Sequence, residues 1–419
     1  MARKLASIVE IESCEPIPDT ERLSVATMKG KGWKVVTGRD EFHPDDLAVF
    51  FEIDSFIPAN DPRYEFLRER CLRKFVSKGG NVLREGIRIK TCKLRGVVSQ
   101  GLLMPLSSFL WKEIKYEERP ATPEDVVSED GEPVSQEDLE GVSVASLYYN
   151  KKITGDDGST TIHKVEVSVG SDLTELLHVD HYDEVKEQLK AAMGNPISAD
   201  AMGPFPSALG PRSDEERIQN LGDWFETMKG RKWEVSVKAD GTSCTVAYSP
   251  SVDAENPFIV CSRNLRLKRE TADGKIPVYW QMAEKYGLLE KLESYYDHGG
   301  RELMLQGEIV GPGIQSCRNK EHEYTFKCFR IWDVYEQCFI NPNETVEICN
   351  EMGIPHVEVV ATDYPFFDEI TTMDAALKYA EGKTAEGNER EGVVLKTCDG
   401  GPYYSCKIIN NNYLLKQKD

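Results

Sequence analysis

The stretch Trp233–Ser243, with the sequence WEVSVKADGTS, joins a strand-like pattern to a Lys-x-Asp-Gly turn. Apolar and polar residues alternate up to Val237, which is typical of a β-strand. The strand runs into Lys238-Ala239-Asp240-Gly241, and a second strand-like run, Cys244–Tyr248, leaves this turn. Two interpretations are open. The turn is either a plain hairpin with an exposed lysine, or it holds a lysine nucleophile whose pKa burial and neighbouring cations lower.

Upstream of this turn, the chain up to about residue 110 alternates short apolar runs with Gly, Pro and Asp. Short strands at this spacing favour a small β-barrel, and we expect an OB fold. Two glycines, Gly96 and Gly101, are expected at bends or bulges of this barrel. The predicted strands are Ser24–Met28, Trp33–Thr37, Leu47–Ile53 and Arg88–Lys90. We therefore predict an OB-type domain over residues 1–110.

The rest of the chain divides by composition. Residues 111–200 are predicted to be an acidic insertion and a connector, with a short amphipathic helix at Tyr182–Met193 that ends at Gly194-Asn195-Pro196. Residues 201–419 mix strands with helices and are predicted to form the catalytic domain. The predicted helices of this domain are Glu215–Met228, Val278–Tyr295 and Met373–Glu381.

Charge is unevenly distributed along the chain, whose formal net charge is −20. That sum alone argues against a polyanionic partner, because nucleic-acid-binding proteins usually carry a basic surface. Acids interrupted by prolines are dense between Glu113 and Glu140, and this acidic segment is typical of a solvated linker or insertion. Upstream lies a basic stretch: Arg68, Arg70, Arg73, Lys74, Lys78, Arg84, Arg88, Lys90, Lys93 and Arg95. It is either a phosphate-tracking surface or a face that only solubilises its domain.

The cysteines and the N-terminus indicate a compartment. The 11 cysteines include no Cys-x-x-Cys pair, and four of them lie in strand-like runs: Cys92, Cys244, Cys261 and Cys406. We expect reduced thiols rather than disulfides or zinc sites. No stretch is apolar for the length of a membrane helix, and the charged residues after Met1 do not form a signal peptide. We therefore expect an intracellular protein, cytoplasmic or nuclear, with no membrane partner.

Further motifs follow the Lys-x-Asp-Gly turn in a fixed order. They are Ser262–Asn264, Leu305–Gln315, Phe329–Val334, Glu391–Lys396 and Ser405–Asn410. With the turn, this series resembles motifs I, Ia, III, IIIa, IV and V of the covalent nucleotidyltransferases, which comprise DNA ligases, RNA ligases and mRNA capping enzymes. All of these motifs in the right order are very improbable by chance. The catalytic interpretation of Lys238 is therefore favoured.

Two features make the chain similar to the RNA ligases of the Deinococcus and Naegleria type. Gly311–Gln315 reads GPGIQ after Glu308, and Ser213–Asn220 reads SDEERIQN upstream of Lys238. The sequence also leaves little room beyond Lys407 for the C-terminal OB domain of DNA ligases and capping enzymes, so the OB domain is expected at the N-terminus. The resemblance covers nearly the whole chain, except the acidic segment and parts of the connector.

The resemblance implies roles for the main charged residues. Lys238 would attack the α-phosphorus of ATP, release pyrophosphate and carry AMP as a lysyl-AMP phosphoramidate. Glu308 and Glu391 would contact the ribose or hold a divalent metal, Mg²⁺ or Mn²⁺, through its water shell. Lys407 would neutralise charge on the transferring phosphate, and Arg263 would grip the ribose or the α-phosphate.

Two further assignments keep alternatives. Arg217, on the predicted helix before the nucleophile strand, is either a phosphate ligand or the partner of Asp214 or Glu216 in a surface ion pair. Phe329 either stacks on adenine or is a core aromatic, and Trp332 competes with it for the stacking role.

The last assignments concern the neighbours of the nucleophile and motif V. Val237, which precedes the nucleophile, belongs to the nucleotide-binding residues that the resemblance implies. Related ligases often carry Lys-x-Lys in motif V, whose first position here is Ser405. Either Lys407 acts alone, or Lys396 or another base supplies the second charge.

The resemblance also implies the fold class, the activity and the partners. The fold is expected to be α+β: an N-terminal OB-type β-barrel followed by a DNA-ligase-like, ATP-grasp-like nucleotidyltransferase domain of antiparallel sheets with flanking helices. The activity would be that of an ATP-dependent RNA ligase, which adenylylates a 5′-phosphate end and joins it to a 3′-hydroxyl end. Its partners would be RNA and nicked duplex with RNA on the 3′-hydroxyl side, bound by a monomer. The alternatives are a DNA-preferring ligase, a guanylyltransferase and an inactive RNA-binding protein.

Overall fold

A computed structural model of the chain describes residues 3–125, 135, 139–154, 158–194, 201–299, 301–314 and 322–416. The chain forms two compact units. The first consists of Met1–Lys29, Trp33–Lys74 and Arg84–Val185, and the second of Gly30–Gly32, Phe75–Leu83 and Lys186–Asp419. Several residues named above lie outside the described residues: most of the acidic segment (126–134 and 136–138), Asn195, Pro196 and Gln315.

Short strands build the first unit, although Lys31–Gly32, Phe75–Val76 and Val82–Leu83 at the ends of three of them belong to the second unit. They are β1 (Ala6–Pro16), β2 (Leu23–Met28), β3 (Lys31–Gly38), β4 (Leu47–Phe51), β5 (Ser55–Pro58), β6 (Leu72–Val76), β7 (Val82–Arg88), β8 (Cys92–Leu94), β9 (Val97–Ser99), β10 (Leu102–Pro105), β11 (Lys115–Pro120), β12 (Ser143–Thr154), β13 (Thr160–Val167) and β14 (Asp180–His181). The main sheet has the order β10-β4-β1-β2-β3, and a second has the order β14-β5-β7-β6. Alternating apolar residues of β1 and β4, such as Ile8 and Val49, fill the core. This half-barrel agrees with the predicted OB-type domain.

The predicted barrel strands are largely present. Ser24–Met28 and Trp33–Thr37 lie within β2 and β3, and β4 covers most of the third prediction. The fourth, Arg88–Lys90, is wrong because β7 ends at Arg88. Gly101 lies at a bend, as predicted: it has a φ of 104°, and a Cβ there would come within 2.3 Å of the Phe50 ring.

The connector contains a sheet that composition did not indicate. Strand β11 pairs antiparallel with β12, and β12 pairs with β13. A solvated linker is therefore the wrong description of Lys115–Pro120, although acids are dense there. Leu147 and Tyr149 of β12 pack against the hydrophobic core that includes Ile8 and Val49. The pairing of β11, β12 and β13 therefore depends on tertiary contacts rather than on local composition. The helix predicted at Tyr182–Met193 is shorter, because it ends at Leu189.

Two sheets build the second unit. Its strands are β15 (Ala201–Pro204), β16 (Glu216–Arg217), β17 (Trp233–Val237), β18 (Thr242–Tyr248), β19 (Phe258–Cys261), β20 (Leu265–Leu267), β21 (Leu303–Val310), β22 (Thr325–Asp333), β23 (Cys338–Phe339), β24 (Val359–Tyr364), β25 (Gly392–Thr397) and β26 (Ser405–Ile409). The seven-stranded sheet has the order β15-β20-β19-β18-β21-β22-β23 and is antiparallel. The five-stranded sheet has the order β16-β26-β25-β17-β24 and is antiparallel except where β16 pairs with β26.

Helices are present in both units. The α-helices are α1 (Glu65–Cys71), α2 (Tyr182–Leu189), α3 (Trp224–Thr227), α4 (Val278–Lys285), α5 (Leu288–Gly299), α6 (Pro342–Glu351), α7 (Phe366–Glu369), α8 (Met373–Ala380) and α9 (Asn411–Leu415). Aromatic residues of α3 and α7 pack with Trp233 of β17 in one core cluster. This packing holds β17, the strand that leads to Lys238. Within the described residues, no helix is both long and apolar enough to cross a membrane.

Two of the three predicted catalytic-domain helices need correction. Glu215–Met228 is not one helix, because its start forms β16 and only Trp224–Thr227 is α-helical. Val278–Tyr295 is split between α4 and α5 at Gly287, whose φ of 56° ends the first helix. The helix predicted at Met373–Glu381 is present as α8.

Candidate active site

Lys238 lies where the chain crosses from the five-stranded sheet to the seven-stranded sheet. Strand β17 ends at the buried Val237, and β18 belongs to the other sheet, so the plain hairpin interpretation is wrong. The backbone N–H of Lys238 donates to Gly392 O at 3.0 Å. Only glycine fits at Gly241, because a Cβ there would come within 2.2 Å of Ile309 O. The crossing therefore places the lysine between two sheets.

The ammonium group of Lys238 meets the carboxylate of Glu391. Lys238 Nζ donates to Glu391 Oε2 at 2.9 Å. The backbone around Glu391 is held by Asn410, whose N–H donates to Glu391 O at 2.8 Å and whose Nδ2 donates to Arg390 O at 3.1 Å. The buried guanidinium of Arg390 donates in turn to carbonyls at the C-terminal end of α8. Glu391 is thus fixed by groups that are themselves anchored.

Glu308 approaches the same ammonium group from the other sheet. Burial raises the pKa of Glu308 to about 8; the charges of Glu391 and Asp240 add to this, and Lys238 opposes it. Burial also raises the pKa of Glu391, and Asp240 contributes there too. The charges of Glu391, Glu308 and Asp240 therefore all act on one amine.

The pKa of Lys238 is raised rather than lowered. Burial acts to lower it, but the negative charges of Glu391, Glu308 and Asp240 outweigh burial. The expectation of a lowered pKa is therefore wrong for the protein side chains by themselves. That expectation assumed neighbouring cations, whereas the charged groups that act on the amine are carboxylates.

Basic side chains reach the site from β26 and from the turn after β19. Lys407 Nζ donates to Asp214 Oδ1 at 2.9 Å, and Arg263 Nη2 lies 3.0 Å from Asp214 Oδ2. The parallel pairing of β16 with β26 sets Arg217 opposite Lys407. The charge of Arg217 acts to lower the pKa of Glu391. Arg217 is therefore close enough to interact electrostatically with the ion pair of Lys238 and Glu391.

The predicted helix at Arg217 is wrong, and so is the alternative of a surface ion pair. Arg217 lies on strand β16 and not on a helix, because pairing with β26 overrides the helical pattern of the sequence. It is also buried, with 7% of its surface exposed, so a surface ion pair does not describe it. Its role as a phosphate ligand stays a prediction.

The aromatic candidates separate clearly. Phe329 is partly buried and belongs to none of the hydrophobic clusters formed by the described residues. Trp332 packs against Phe339 at a ring-centroid distance of 4.7 Å and lies in a core cluster. The core interpretation therefore applies to Trp332, and the stacking role stays a prediction for Phe329.

Lys396 does not supply the second charge of motif V. Its Nζ donates to Glu234 Oε1 at 2.7 Å and to Phe329 O at 2.6 Å. The Lys396 side chain is 2% exposed, and that of Glu234 is fully buried. The lysine is therefore committed to a buried ion pair that holds the backbone of Phe329.

The carboxylates of the site fit a divalent cation that keeps its water shell. Carboxylate oxygens are the donors that Mg²⁺ and Mn²⁺ prefer, and Glu308 and Glu391 provide them beside the amine. Among the described residues, no three His, Cys, Asp or Glu side chains converge closely enough to hold an ion directly.

The basic stretch of the first unit is partly neutralised by carboxylates of the same unit. Arg88 pairs with Asp54 at 2.9 Å, and Lys74 lies 3.1 Å from Glu85. Glu85 also lies 3.8 Å from Arg68. Arg84 also pairs with Asp180, and a phosphate-tracking surface stays a prediction.

Sequence reasoning missed three residues of the site. Tyr413 OH donates to Asp240 Oδ2 at 2.5 Å, and Lys327 lies opposite Glu308 in the β21–β22 register. Asp214 was considered only as a partner of a surface arginine, yet it contacts both Lys407 and Arg263. The position of Lys327 two residues before Phe329 is a signal for it, because alternate residues of a strand share a face.

Comparisons with known proteins add independent findings. Residues 5–106 match a family model described as an OB-fold domain, and residues 231–409 match the RNA ligase family model. No curated protein sequence is significantly similar to the chain.

Solved structures of the Naegleria gruberi RNA ligase are similar to the whole chain. The complex with PPi has a TM-score of 0.71 and 28% identity, and 100% of each chain is covered. A mutant with AMP and Mn has a TM-score of 0.69 and 28% identity, again with 100% of each chain covered. A mutant with ATP and Mn has a TM-score of 0.68 and 28% identity over 99% of each chain. These findings confirm the predicted fold class and the resemblance.

Proposed function

We infer that this chain, which joins an OB-fold domain to an RNA ligase domain, is an ATP-dependent RNA ligase. The observation that carries this inference is the meeting of Lys238 with Glu391 at a crossing between two sheets. Lys407 and Arg263 provide positive charge in the same domain. An amine next to acidic groups, with cations for a phosphate, suits phosphoryl transfer, which depends on positioning and charge neutralisation.

The first step transfers AMP to Lys238. Its Nζ forms a bond to the α-phosphorus of ATP while the bond to the β-phosphate oxygen breaks, and pyrophosphate leaves. Before this attack the ammonium group passes one proton to Glu391, which already accepts a hydrogen bond from it at 2.9 Å. Lys407, Arg263 and Arg217 neutralise the negative charge that collects on the phosphate oxygens.

Two more groups complete the nucleotide site. Glu308 and Glu391 would hold Mg²⁺ or Mn²⁺ through its water shell, and the ion would supply positive charge that neutralises the transferring phosphate. Phe329 stacks on adenine, and the hydrogen bond from Lys396 to its carbonyl holds the backbone that carries the ring. Val237 lines the site next to the nucleophile.

The second and third steps join polynucleotide ends. AMP passes from Lys238 to a 5′-phosphate, and a 3′-hydroxyl then attacks that phosphate with release of AMP. The substrate is RNA, chiefly nicked duplex with RNA on the 3′-hydroxyl side, and the protein acts as a monomer. The OB domain (residues 1–110) and its basic stretch hold the duplex, the connector spans residues 111–200, and catalysis belongs to residues 201–419.

The protein is proposed to work inside the cell, in the cytoplasm or the nucleus, and without a membrane partner. The 11 cysteines include no Cys-x-x-Cys pair, a usage that suits a reducing compartment. Fractionation of cells that express the tagged full chain tests this, and recovery with a membrane fraction would contradict it.

Sealing assays on matched nicked duplexes test the proposed activity. The duplexes differ only in whether the strand with the 3′-hydroxyl ends in RNA or DNA, and Lys238→Met serves as the inactive control. Faster sealing of the RNA-ended nick supports the proposal, and equal rates on both would contradict the strand preference. Labelling by GTP alone would indicate a guanylyltransferase, and RNA binding without any retained nucleotide would indicate a binding protein.

A further inference from the structure

One carboxylate bridges the two cations that the proposed function assigns to phosphate. Asp214 Oδ1 accepts a hydrogen bond from Lys407 Nζ at 2.9 Å, and Asp214 Oδ2 lies 3.0 Å from Arg263 Nη2. Lysine and arginine bind carboxylate and phosphate oxygens with the same kind of charge-assisted hydrogen bond. Asp214 therefore presents to these cations what a nucleotide phosphate would present.

The segment that carries Asp214 is anchored on both sides. Ser213 Oγ forms a hydrogen bond with Ser243 Oγ at 2.7 Å. Glu215 Oε1 accepts from Arg330 Nη1 at 2.7 Å, and the Arg330 side chain is only 4% exposed. The Asp214 side chain is 49% exposed, so a rotation about its own side-chain bonds moves it into solvent while its neighbours stay in place.

Lys407 needs such a counter-charge more than Arg263 does. The Lys407 side chain is 15% exposed and that of Arg263 is 43% exposed. A largely buried cation is costly unless it is paired, and the cost rises when a second cation lies near it. Asp214 offsets this cost at both cations.

We propose that Asp214 is an internal competitor for the nucleotide phosphate. It neutralises Lys407 and Arg263 until a phosphate displaces it, which weakens the binding of ATP and AMP and favours the release of AMP at the end of each cycle. The inference rests on the proposed function, because it takes Lys407 and Arg263 as phosphate ligands. It assigns to this domain a residue that sets nucleotide affinity without entering the reaction.

The sign of the predicted effect is opposite to that of a ligand residue. If Asp214 contacted the nucleotide favourably, its removal would weaken binding. If Asp214 competes, its removal strengthens binding. The two ion pairs are partly exposed, and such pairs are weak, so we expect the gain in affinity to be about 3- to 10-fold.

Isothermal titration of the full-length chain tests the proposal. The variant is Asp214→Asn, and the ligands are α,β-methylene-ATP with magnesium, which cannot transfer AMP, then AMP and adenosine. Glu226→Gln is the matched control, because it removes the same charge from an exposed pair with Lys229. We expect Asp214→Asn to bind the analogue and AMP more tightly than wild type, and adenosine, which lacks a phosphate, with unchanged affinity.

The other outcomes contradict either the competitor role of Asp214 or the proposed function. Unchanged or weaker binding of the analogue by Asp214→Asn overturns the competitor role, and weaker binding makes Asp214 a ligand of the nucleotide or its ion. Equal gains for adenosine, or equal gains in Glu226→Gln, also overturn it. A wild-type chain that binds none of the three ligands overturns the proposed function as well, so the two failures are distinguishable.

Discussion

Lys396→Met removes one half of a buried ion pair and should destabilise the second unit strongly. Glu234 is fully buried and Lys396 Nζ lies 2.7 Å from its Oε1, so the variant leaves a carboxylate without its counter-charge. Breaking a buried pair in this way costs about 3–5 kcal/mol. Glu234 Oε2 accepts no hydrogen bond from any described residue, so this second oxygen does not compensate for the bond that Oε1 loses.

Thermal unfolding gives the size of this effect. For a unit of this length, about 1 kcal/mol corresponds to roughly 2–4 °C, so the midpoint should fall by roughly 10 °C. Lys378→Met is the matched control, because Lys378 forms an exposed pair with Glu381 and its loss should cost less than about 0.5 kcal/mol. The double variant Glu234→Gln/Lys396→Met removes both charges and should recover most of the stability.

A second readout connects this pair to the nucleotide site. Lys396 also donates to Phe329 O at 2.6 Å, so its loss should weaken AMP binding even under conditions where the variant is folded. A Lys396→Met protein as stable as Lys378→Met would contradict the predicted cost of breaking the buried ion pair. So would a double variant as unstable as the single one, because the cost would then not come from the unpaired carboxylate.

Three further predictions concern residues around the site. Tyr413→Phe removes the hydrogen bond to Asp240 and should slow adenylylation of Lys238 about tenfold, equivalent to about 1.4 kcal/mol, with little loss of stability; a full rate in a single-turnover assay would contradict this. Gly241→Ala should cost about 1–3 kcal/mol in urea unfolding, because its Cβ would press on a backbone carbonyl, and an unchanged midpoint would argue against the described crossing. Burial lowers the pKa of His356, so the stability that the neutral ring contributes is complete above about pH 6.5 and is lost as the pH falls through the lowered pKa. Unfolding midpoints between about pH 8 and 5 should fall less in His356→Gln than in wild type.

The sequence identified the residues with a local signature. Lys238, Glu308 and Glu391 each follow or end a strand-like run, and their order along the chain matches a known series of motifs. The structure brings Lys238 and Glu391 together because β17 pairs with β25. Such pairing is not visible in a local pattern, but the order of motifs carries it implicitly.

Other features depend on contacts that no local pattern encodes. Arg217 was predicted on a helix, yet its segment pairs with β26 far along the chain. The pKa of Lys238 was expected to be lowered, and three carboxylates raise it. From the sequence, Lys396 is a candidate for the second basic group of motif V. The structure instead buries it in an ion pair with Glu234. Each miss concerns a partner chosen by the tertiary fold.

Intact-mass spectrometry of the full-length chain tests directly whether Lys238 takes AMP from ATP. The chain is first stripped of bound nucleotide and then incubated with ATP and magnesium, beside Lys238→Met and Lys232→Met, a control at an exposed lysine near the start of the same strand. We expect a gain of one AMP in the wild type and in Lys232→Met, and none in Lys238→Met. An adduct on Lys238→Met, or no adduct on the wild type with ATP, would contradict this expectation.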